Sequence, residues 1–341
     1  MDHPSFADHR VDINCGQKII TVRRGASLLA GLAKNGILLP SACGGNARCG
    51  TCKIKVLDGT TGRLLPQEEP LISPEEKAAL FRLACQVKVE TDLRVEVDEG
   101  VFAVKQFSGT LVAKQSLTYD ILRLRVALVK PETIEFIAGQ YVQIRSLPYG
   151  GKEAVIRAFS IASAPFDKTH IELMARKVPN GVCTAWIFER LKEGDKVYFT
   201  APYGSMRLSQ TAAPILFIAG GSGMAPIWSM LCDMKKRGTQ RRAIYFFGAL
   251  TRRDLFLVNE LDALQKELPW FTFVPALSNE PPGSQWTGER GLITEVVARR
   301  CMDCSGHEAY LCGSPGMIDA CRKVLLKCGV AEENIFYDTF T

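Results

Sequence analysis

The spacing of hydrophobic positions changes along the chain, and the first hundred residues have a pattern of their own. Alternating hydrophobic and polar residues predict two short strands over residues 11–22, on either side of Cys15-Gly16. Residues 27–35 have helical spacing, and Gly36 is typical of the position that follows a helix. Short strands with one short helix predict a small α+β unit of the β-grasp type.

The middle of the chain consists of short alternating runs that Gly and Pro interrupt. The clearest runs are residues 107–114, 121–129 and 141–144, and a helical stretch follows Gly181. Many short alternating strands separated by turn residues predict a small antiparallel β-barrel.

The last part of the chain alternates apolar strands with helical stretches. The strands are expected at residues 215–219, 243–248, 271–277 and 309–312. Strand and helix in turn predict an α/β domain with a doubly wound parallel sheet. We therefore expect a multi-domain protein whose three domains cover residues 1–101, 102–210 and 211–341.

Composition and charge exclude several classes of protein. The 341 residues are 47% hydrophobic and 23% charged, which is ordinary for globular domains, and the net charge of +6 is not gathered into runs of one sign. Nucleic acid is therefore not expected as a partner. No apolar run approaches the roughly 18 residues that cross a bilayer, and the first ten residues are unlike a signal peptide. We expect a cytoplasmic protein with no membrane span.

Four of the twelve cysteines have the spacing of a metal site. Cys43, Cys49 and Cys52 form a glycine-rich C-x5-C-x2-C loop, and Cys85 stands alone further along the chain. Four thiolates suit a [2Fe–2S] cluster, and glycines let the loop adopt positive φ around it. Zinc is the alternative, but zinc sites usually pair two C-x2-C knuckles. We predict that these four residues hold a [2Fe–2S] cluster.

The other cysteines have weaker patterns. Cys301 and Cys304, with His307 close by, could form a metal knuckle or a redox pair, but without a second knuckle a surface linker is the expectation. Four other thiols fall in apolar segments and are expected to be buried and inert; they are Cys15, Cys232, Cys321 and Cys328.

The segment Arg157-Ala158-Phe159-Ser160 in the middle of the chain places a guanidinium, an aromatic ring and a hydroxyl close together. A guanidinium offers several donors to a diphosphate, and a hydroxyl can follow the protonation change of a reduced ring. A predicted helix start supplies free N–H groups that suit a phosphate. The candidates there are Gly181, Val182, Cys183 and Thr184.

This segment resembles the R-x-Y/F-S motif of the ferredoxin–NADP reductase superfamily, preceded here by Gly139-Gln140-Tyr141. The resemblance implies that Arg157 pairs with the pyrophosphate of FAD and that Phe159 flanks the isoalloxazine ring. It also implies that the Ser160 hydroxyl lies near flavin N5 as a catalytic residue. Tyr141 and Ala158 are further FAD-binding candidates.

A glycine-rich turn between the first apolar strand of the last domain and the next helix suits a pyrophosphate. Its candidate residues are Gly220, Gly221, Ser222, Gly223, Met224 and Pro226. The turn resembles the G-G-x-G-x-x-P motif of the same superfamily, and Cys312-Gly313 with Met317 resembles its C-G-P-P/S-x-M motif. The resemblance implies that Cys312 is catalytic and that Phe340 lies against the flavin ring.

The choice between NADH and NADPH is expected to depend on the end of the third strand of the last domain. Asn279 follows Ser278 at a position where NADPH-selective relatives have an arginine for the 2′-phosphate. NADH is therefore favoured. Arg252 and Arg253 follow an earlier strand and are an alternative source of charge for a phosphate.

The order of the three domains is similar to that of the F subunit of sodium-translocating NADH:quinone reductases and of the reductase components of multicomponent mono- and dioxygenases. The resemblance implies an NADH-dependent oxidoreductase in which a hydride passes from NADH to FAD and single electrons leave through the cluster. The acceptor would be a protein docked near the cluster loop, where Arg48, Lys53 and Lys55 offer a basic rim.

Three alternatives remain open. The F subunit of the sodium pump carries an N-terminal membrane helix and this chain begins almost directly with a strand, so a sodium-pump role is not expected, but a quinone-linked electron-transfer subunit is an alternative. A redox-sensing iron–sulfur flavoprotein without turnover is another. A zinc-stabilised interaction module is the third.

Overall fold

The computed structural model describes residues 8–340. These residues fall into two compact units. The first holds the residues up to Gln106 with Gln143–Ala158 and Tyr198–Tyr203, and the second holds Phe107–Val142, Phe159–Val197 and the residues from Gly204 onwards. The described strands form one five-stranded sheet and two six-stranded sheets.

The first sheet confirms the predicted α+β unit. Its elements are β1 (Asp8–Ile13), β2 (Lys18–Arg23), α1 (Leu28–Lys34), β3 (Lys53–Asp58), α2 (Pro74–Ala78), β4 (Phe81–Leu83) and β5 (Leu93–Glu96). The strand order is β2-β1-β5-β3-β4, with β1 and β5 parallel. Ser27 caps α1 by accepting the N–H of Ala30 at 3.2 Å, and buried Leu28 and Leu32 pack α1 against the sheet.

The turn between β1 and β2 corrects one expectation. Asn14, Cys15 and Gly16 all have positive φ, which a tight hairpin turn requires. Cys15 is exposed in this turn and is not a buried thiol. Cys232 is only half-buried, so it is not fully buried either.

The second sheet is the antiparallel barrel that the middle of the chain predicts. Its elements are β6 (Lys105–Ser116), β7 (Ile121–Lys130), β8 (Tyr141–Arg145), β9 (Ile156–Ser160), β10 (His170–Arg176), α3 (Val182–Glu189) and β11 (Lys196–Tyr203). The strand order is β10-β7-β6-β11-β8-β9. A bridge between Ile161, just after β9, and Leu173 on β10 nearly closes the barrel.

The third sheet is parallel throughout, as the alternation of strands and helices predicts. Its elements are β12 (Ile215–Gly220), α4 (Met224–Arg237), β13 (Ala243–Ala249), α5 (Val258–Glu267), β14 (Phe271–Leu277), β15 (Glu289–Arg290), α6 (Ile293–Arg300), β16 (Glu308–Gly313), α7 (Pro315–Lys327) and β17 (Ile335–Thr339). The order is β15-β14-β13-β12-β16-β17.

The segment between α6 and β16 also corrects the sequence interpretation. Cys301 and Cys304 are each only 3% exposed, so they do not belong to a surface linker. They pack with Cys321 and Cys328 in the hydrophobic core under α6 and α7, which confirms the burial expected of those two thiols. None of the helices in residues 8–340 combines the length and the apolar character that crossing a membrane requires.

Candidate functional site

The predicted cluster loop runs from α1 to β3 without regular secondary structure over residues 40–52. Gly44, Gly45 and Gly50 have positive φ, and Ala47 has φ 49°. Left-handed backbone is readily adopted by glycine and strained for most other residues. The shape of the loop therefore explains why glycine occurs at three of its positions.

The four predicted ligands come together as two pairs of thiols. The Sγ atoms of Cys43 and Cys49 are 3.4 Å apart, and the thiols of Cys52 and Cys85 hydrogen-bond to each other. Cys52 directly precedes β3, and Cys85 lies two residues beyond β4, the antiparallel partner of β3. The hydrogen bond lowers the pKa of Cys85 and raises the pKa of Cys52.

A buried ion pair fixes the strand that leads to Cys85. Arg82 on β4 donates from Nε and Nη2 to Glu68 at 3.0 and 2.8 Å, with side chains only 8% and 0% exposed. The N–H of Leu83 also donates to Glu68 at 3.0 Å. Burial alone would raise the pKa of Glu68, but hydrogen bonds from Arg82 and two backbone N–H groups lower it overall.

Two observations fit a cluster bound by these thiols. The Oγ atom of Ser41, two residues before Cys43, is buried and has no hydrogen-bond partner among the described residues, as expected beside a group that the chain does not itself supply. Two pairs of thiols suit the two irons of a [2Fe–2S] cluster.

The predicted flavin motif occupies β9. Ala158 is exposed, Arg157 and Phe159 are half-buried, and Ser160 is buried. Arg157 donates from Nη1 to the carbonyl oxygen of Ile156 at 2.7 Å. The guanidinium of Arg157 is therefore accessible, as binding a diphosphate would require. The hydroxyl of Ser160 is shielded from water, as contacting a ring would require.

Tyr141 and Ser160 are brought to neighbouring strand ends. Ile161, which follows Ser160, donates its N–H to the carbonyl of Gln140 at 3.0 Å. Gln140 in turn precedes Tyr141 at the start of β8, and its side chain donates to Gly204 at 3.1 Å. These bonds hold the two predicted residues at one end of the barrel.

The predicted phosphate site lies at the start of α3. Gly181 is the N-cap and no side chain caps the helix. The Thr184 hydroxyl accepts the N–H of Val178 at 3.2 Å and donates to the Gly181 carbonyl at 3.3 Å, while Cys183 is only 1% exposed. A phosphate at this turn would consequently meet the backbone of Val182 and its neighbours instead of these two side chains.

The glycine turn of the parallel sheet lies where the sequence predicts it. Gly220 ends β12, Gly221–Gly223 form a short 3₁₀ turn, and α4 begins at Met224. A side chain at Gly223 would collide with the carbonyl of Cys312, and one at Gly220 would lie 3.2 Å from Sδ of Met317. The two predicted nicotinamide motifs are therefore packed against each other. Ser222 is half-buried beside this contact, and Pro226 is buried in α4.

Cys312 and Phe340 also come together. Cys312 is completely buried with its Sγ atom 3.8 Å from Sδ of Met206, and burial raises its pKa well above the usual value. The N–H of Phe340 donates to the carbonyl of Gly313 at 2.9 Å. Phe340 packs on the hydrophobic cluster that contains Cys312 and Ala162, two residues beyond Ser160.

The residues expected to select the nucleotide follow β13 and β14. Ser278 comes directly after β14. The Nε atom of Arg252 lies 3.2 Å from a carboxylate oxygen of Glu280, and the guanidinium of Arg253 lies 4.5 Å from the centre of the Tyr119 ring. Both arginines thus have intramolecular partners.

Arg176 is a candidate that sequence reasoning missed. It lies at the end of β10, where its Nε atom donates to Asp120 at 2.7 Å. Its Nη1 atom would lie 3.2 Å from a Cβ placed at Gly221. An arginine at a phosphate-binding turn complements negative charge. No local motif marks Arg176, because only the fold brings β10 to the turn.

Three sequence families match consecutive parts of the chain. The 2Fe-2S iron-sulfur cluster binding domain matches residues 11–90, the oxidoreductase FAD-binding domain residues 108–208, and the oxidoreductase NAD-binding domain residues 217–323. These matches and the three sheets define an oxidoreductase of the ferredoxin–NADP reductase type with a [2Fe–2S] cluster, FAD and NAD. They confirm the predicted fold class and all three cofactors.

Two relatives match nearly the whole chain. The F subunit of the Na(+)-translocating NADH-quinone reductase of Neisseria meningitidis is 36% identical over 98% of this chain and 92% of the relative. The corresponding F subunit of Actinobacillus succinogenes is 37% identical, with 95% and 88% covered. The chain belongs to the family of the F subunits of Na(+)-translocating NADH-quinone reductases.

Solved structures that are similar to nearly the whole chain include the Amycolatopsis cytochrome P450 reductase GcoB. It is 27% identical, has a TM-score of 0.80, and the match covers 98% of this chain and 99% of GcoB. The ferredoxin reductase in carbazole 1,9a-dioxygenase is 28% identical, with a TM-score of 0.74 and coverage of 99% and 100%.

Proposed function

We propose that this protein is an NADH-dependent iron–sulfur flavoprotein reductase that delivers single electrons to a protein acceptor. The observation that carries the proposal is the presence of cluster, FAD and NAD domains in one chain. Bound FAD would supply the chemistry that connects a hydride from NADH with single electrons for the cluster. The chain binds these groups, orients them and excludes water around them.

We assign each of the three cofactors to one of three domains, residues 1–101, 102–210 and 211–341. In the first, Cys43 and Cys49 would hold one iron, and Cys52 and Cys85 the other. The two pairs of thiols support this assignment. The buried ion pair beneath Cys85 would keep the second pair in place when the charge of the cluster changes.

In the second domain, Arg157 would bind the FAD pyrophosphate, assisted by the backbone at the start of α3. Ser160 would hold its hydroxyl at flavin N5, and Phe159 and Tyr141 would flank the ring. The burial of Ser160 supports the role, because a hydroxyl shielded from water keeps a fixed orientation.

In the third domain, the turn at Gly220 to Gly223 would receive the pyrophosphate of NADH. Cys312 and Phe340 would lie beside the nicotinamide and flavin rings. Cys312 would remain a neutral thiol there, because burial raises its pKa well above its usual value. It would thus position the ring and not act as a base.

The proposed acceptor is a protein that docks at the cluster loop, in the cytoplasm. Gly44, Asn46 and Arg48 are exposed on this loop, so a partner can approach the thiols closely. An oxygenase or hydroxylase component is the first candidate, supported by the two reductases of known structure. A quinone-linked electron-transfer subunit is the second, supported by the two relatives of 36% and 37% identity.

The experiment that tests the proposal is an anaerobic visible spectrum titrated with NADH and, separately, with NADPH. We expect the flavin and iron–sulfur bands to bleach with stoichiometric NADH and to resist NADPH. Bands that NADH leaves unchanged would refute the electron route. Bleaching by NADPH at equal concentration would refute only the nucleotide preference.

A single variant tests the flavin centre. Ser160→Ala should slow NADH-dependent flavin bleaching by about 10²-fold, the loss typical of removing one positioned donor, while the FAD content per chain stays normal. Ser116→Ala at the exposed end of β6 is the matched control. Equal stopped-flow rates for the two variants would remove Ser160 from the site.

A further inference from the structure

A side-chain amide lies against one of the four cluster cysteines. The Nε2 atom of Gln86 is 3.2 Å from Sγ of Cys85 and 3.5 Å from the carbonyl oxygen of Gly45. Both neighbours are acceptors, so the NH2 end of the amide must face them. Gln86 is half-buried, and Cys85 is 9% exposed. The N–H···S contact is therefore shielded from most competing water.

A second glutamine fixes which end of that amide faces the sulfur. Gln67, at the surface, donates from Nε2 to Oε1 of Gln86 at 3.0 Å. If the Gln86 amide turned over, the Gln67 donor would face another donor and Cys85 would face an oxygen. The two glutamines thus form a short chain of hydrogen bonds from the surface to the sulfur of Cys85, here called the relay.

We propose that Gln86, oriented by Gln67, raises the reduction potential of the [2Fe–2S] cluster by donating a hydrogen bond to Sγ of Cys85. The inference rests on the proposed function, in which Cys85 is a ligand. One-electron reduction makes the cluster and its thiolates more negative by one charge. An N–H donor stabilises the more negative state more strongly, so the potential rises. Both residues position charge and neither takes part in a bond-making step.

The first test is an EPR-monitored redox titration of the full-length protein. Gln86→Leu should lower the midpoint potential of the cluster, with up to about a tenfold fall in the one-electron equilibrium constant, which corresponds to 59 mV. Iron and sulfide content should stay at the level of the parent protein. A midpoint equal to that of the parent would overturn the proposal.

Gln67 variants keep the test independent of folding around the ligand, because Gln67 lies at the surface and contacts no thiol. Gln67→Glu should turn the Gln86 amide over, since a carboxylate accepts from the NH2 end, and the potential should fall even though Gln86 is unchanged. Gln67→Leu should give a smaller fall. An unchanged potential in both variants would overturn the relay.

Charge and ligand assignment need their own controls. The charge added by Gln67→Glu is exposed, so its direct effect should be screened in 0.5 M salt, whereas the effect of the inverted amide should persist. A shift that disappears in salt counts against the relay.

Cys85→Ser tests the ligand assignment itself. A normal cluster in that variant would refute the proposed ligand set. Loss of the cluster in Cys85→Ser, together with unshifted potentials in the glutamine variants, would refute only the relay.

Discussion

Two groups of four cysteines in this chain differ in what surrounds them. The cluster cysteines lie around a glycine-rich loop, where Cys43 and Cys49 are half-buried and Cys52 and Cys85 are buried. The core cysteines, Cys301, Cys304, Cys321 and Cys328, lie in an apolar core beneath α6 and α7. The same side chain would thus serve ligation in one place and packing in the other, and its neighbours decide which.

The pKa values express this difference. Burial alone would raise the pKa of Cys43, but hydrogen bonds, among them the N–H groups of Arg48 and Cys49, lower it overall. Burial raises the pKa of Cys321 to about 12 and also raises those of Cys301, Cys304 and Cys328. Hydrogen bonds thus favour the thiolate at Cys43 and Cys85, whereas the pKa of Cys52 is raised like those of the core thiols.

Replacing one cysteine of each group should give the largest contrast. Cys85→Ser should lose most of its iron and acid-labile sulfide, while NADH still bleaches the flavin. Cys304→Ser, the matched control, should keep a full cluster because Cys304 packs in the apolar core beneath α6 and α7. Metal and sulfide analysis beside the visible spectrum measures both. A variant of Cys304 that lacked iron would contradict the comparison.

One buried ion pair, Arg82 with Glu68, lies beside the strand that leads to Cys85. Arg82→Met leaves the carboxylate of Glu68 buried without its partner, so we expect a loss of about 3–5 kcal/mol in the free energy of unfolding. Lys53→Met breaks a partly exposed pair with Glu76 at 2.6 Å and should lose no more than about 1 kcal/mol. Urea unfolding followed by cluster absorbance compares them, and equal losses would contradict the expected difference.

The packing role of the core cysteines predicts a smaller effect. Cys321 is completely buried, so Cys321→Ser places a hydroxyl without a partner in an apolar core and should lower the free energy of unfolding by about 1–3 kcal/mol. Cys15→Ser changes an exposed thiol and should stay within about 0.5 kcal/mol of the parent. Thermal unfolding followed by circular dichroism tests whether the two differ.

Burial also raises the pKa of Asp338, whose carboxyl group lies beside Cys312. The resulting change in stability is the smallest that we expect. Burial raises the pKa of Asp338 from 3.8 to about 6, so the folded chain binds this proton more tightly than the unfolded chain. The resulting stability is complete below pH 3.8 and is lost as the pH rises through 6. Asp338→Asn should therefore have a higher Tm than the parent at about pH 7.5 and the same Tm near pH 4.

Asp303 is a control because its pKa is shifted in the opposite direction. A hydrogen bond from the backbone of Ser305 lowers the pKa of this exposed carboxyl. Its contribution is present at neutral pH and is lost as the pH falls, so Asp303→Asn should lower the Tm at about pH 7.5. A lower Tm for Asp338→Asn at that pH would show that burial does not dominate at Asp338.

Periodicity predicted the three sheets because alternation and apolar runs are local properties of the sequence. Residues 271–277 form β14, and the helix expected from residue 27 begins with Ser27 as its cap. The interpretation of Cys15 was wrong because hydrophobic neighbours in sequence do not exclude a tight turn. Cys301 and Cys304 were misread because only the packing of α6 on α7 buries them.

The parts of the candidate site that the sequence could not supply come from contacts between distant segments. Arg176 reaches the glycine turn from the barrel, and Gln67 is 19 residues from Gln86, with which it forms a hydrogen bond. Neither has a motif, because side-chain amides and arginines are common at any surface. The spacing of the cluster cysteines, by contrast, identifies four candidate ligands from one short loop and a single distant residue.

The rim of the cluster loop carries fewer uncompensated charges than its sequence suggests. Lys53 lies 2.6 Å from Glu76, and Lys55 lies 3.8 Å from Glu96. Neighbouring charges of opposite sign cancel within a Debye length, so these lysines exert little long-range pull on an approaching molecule. Electrostatic steering at this rim should then be weak and come from Arg48, with association rate constants on the order of 10⁵–10⁶ M⁻¹s⁻¹. Selection of the acceptor would occur after collision, through the shape of the surfaces and the lifetime of the complex.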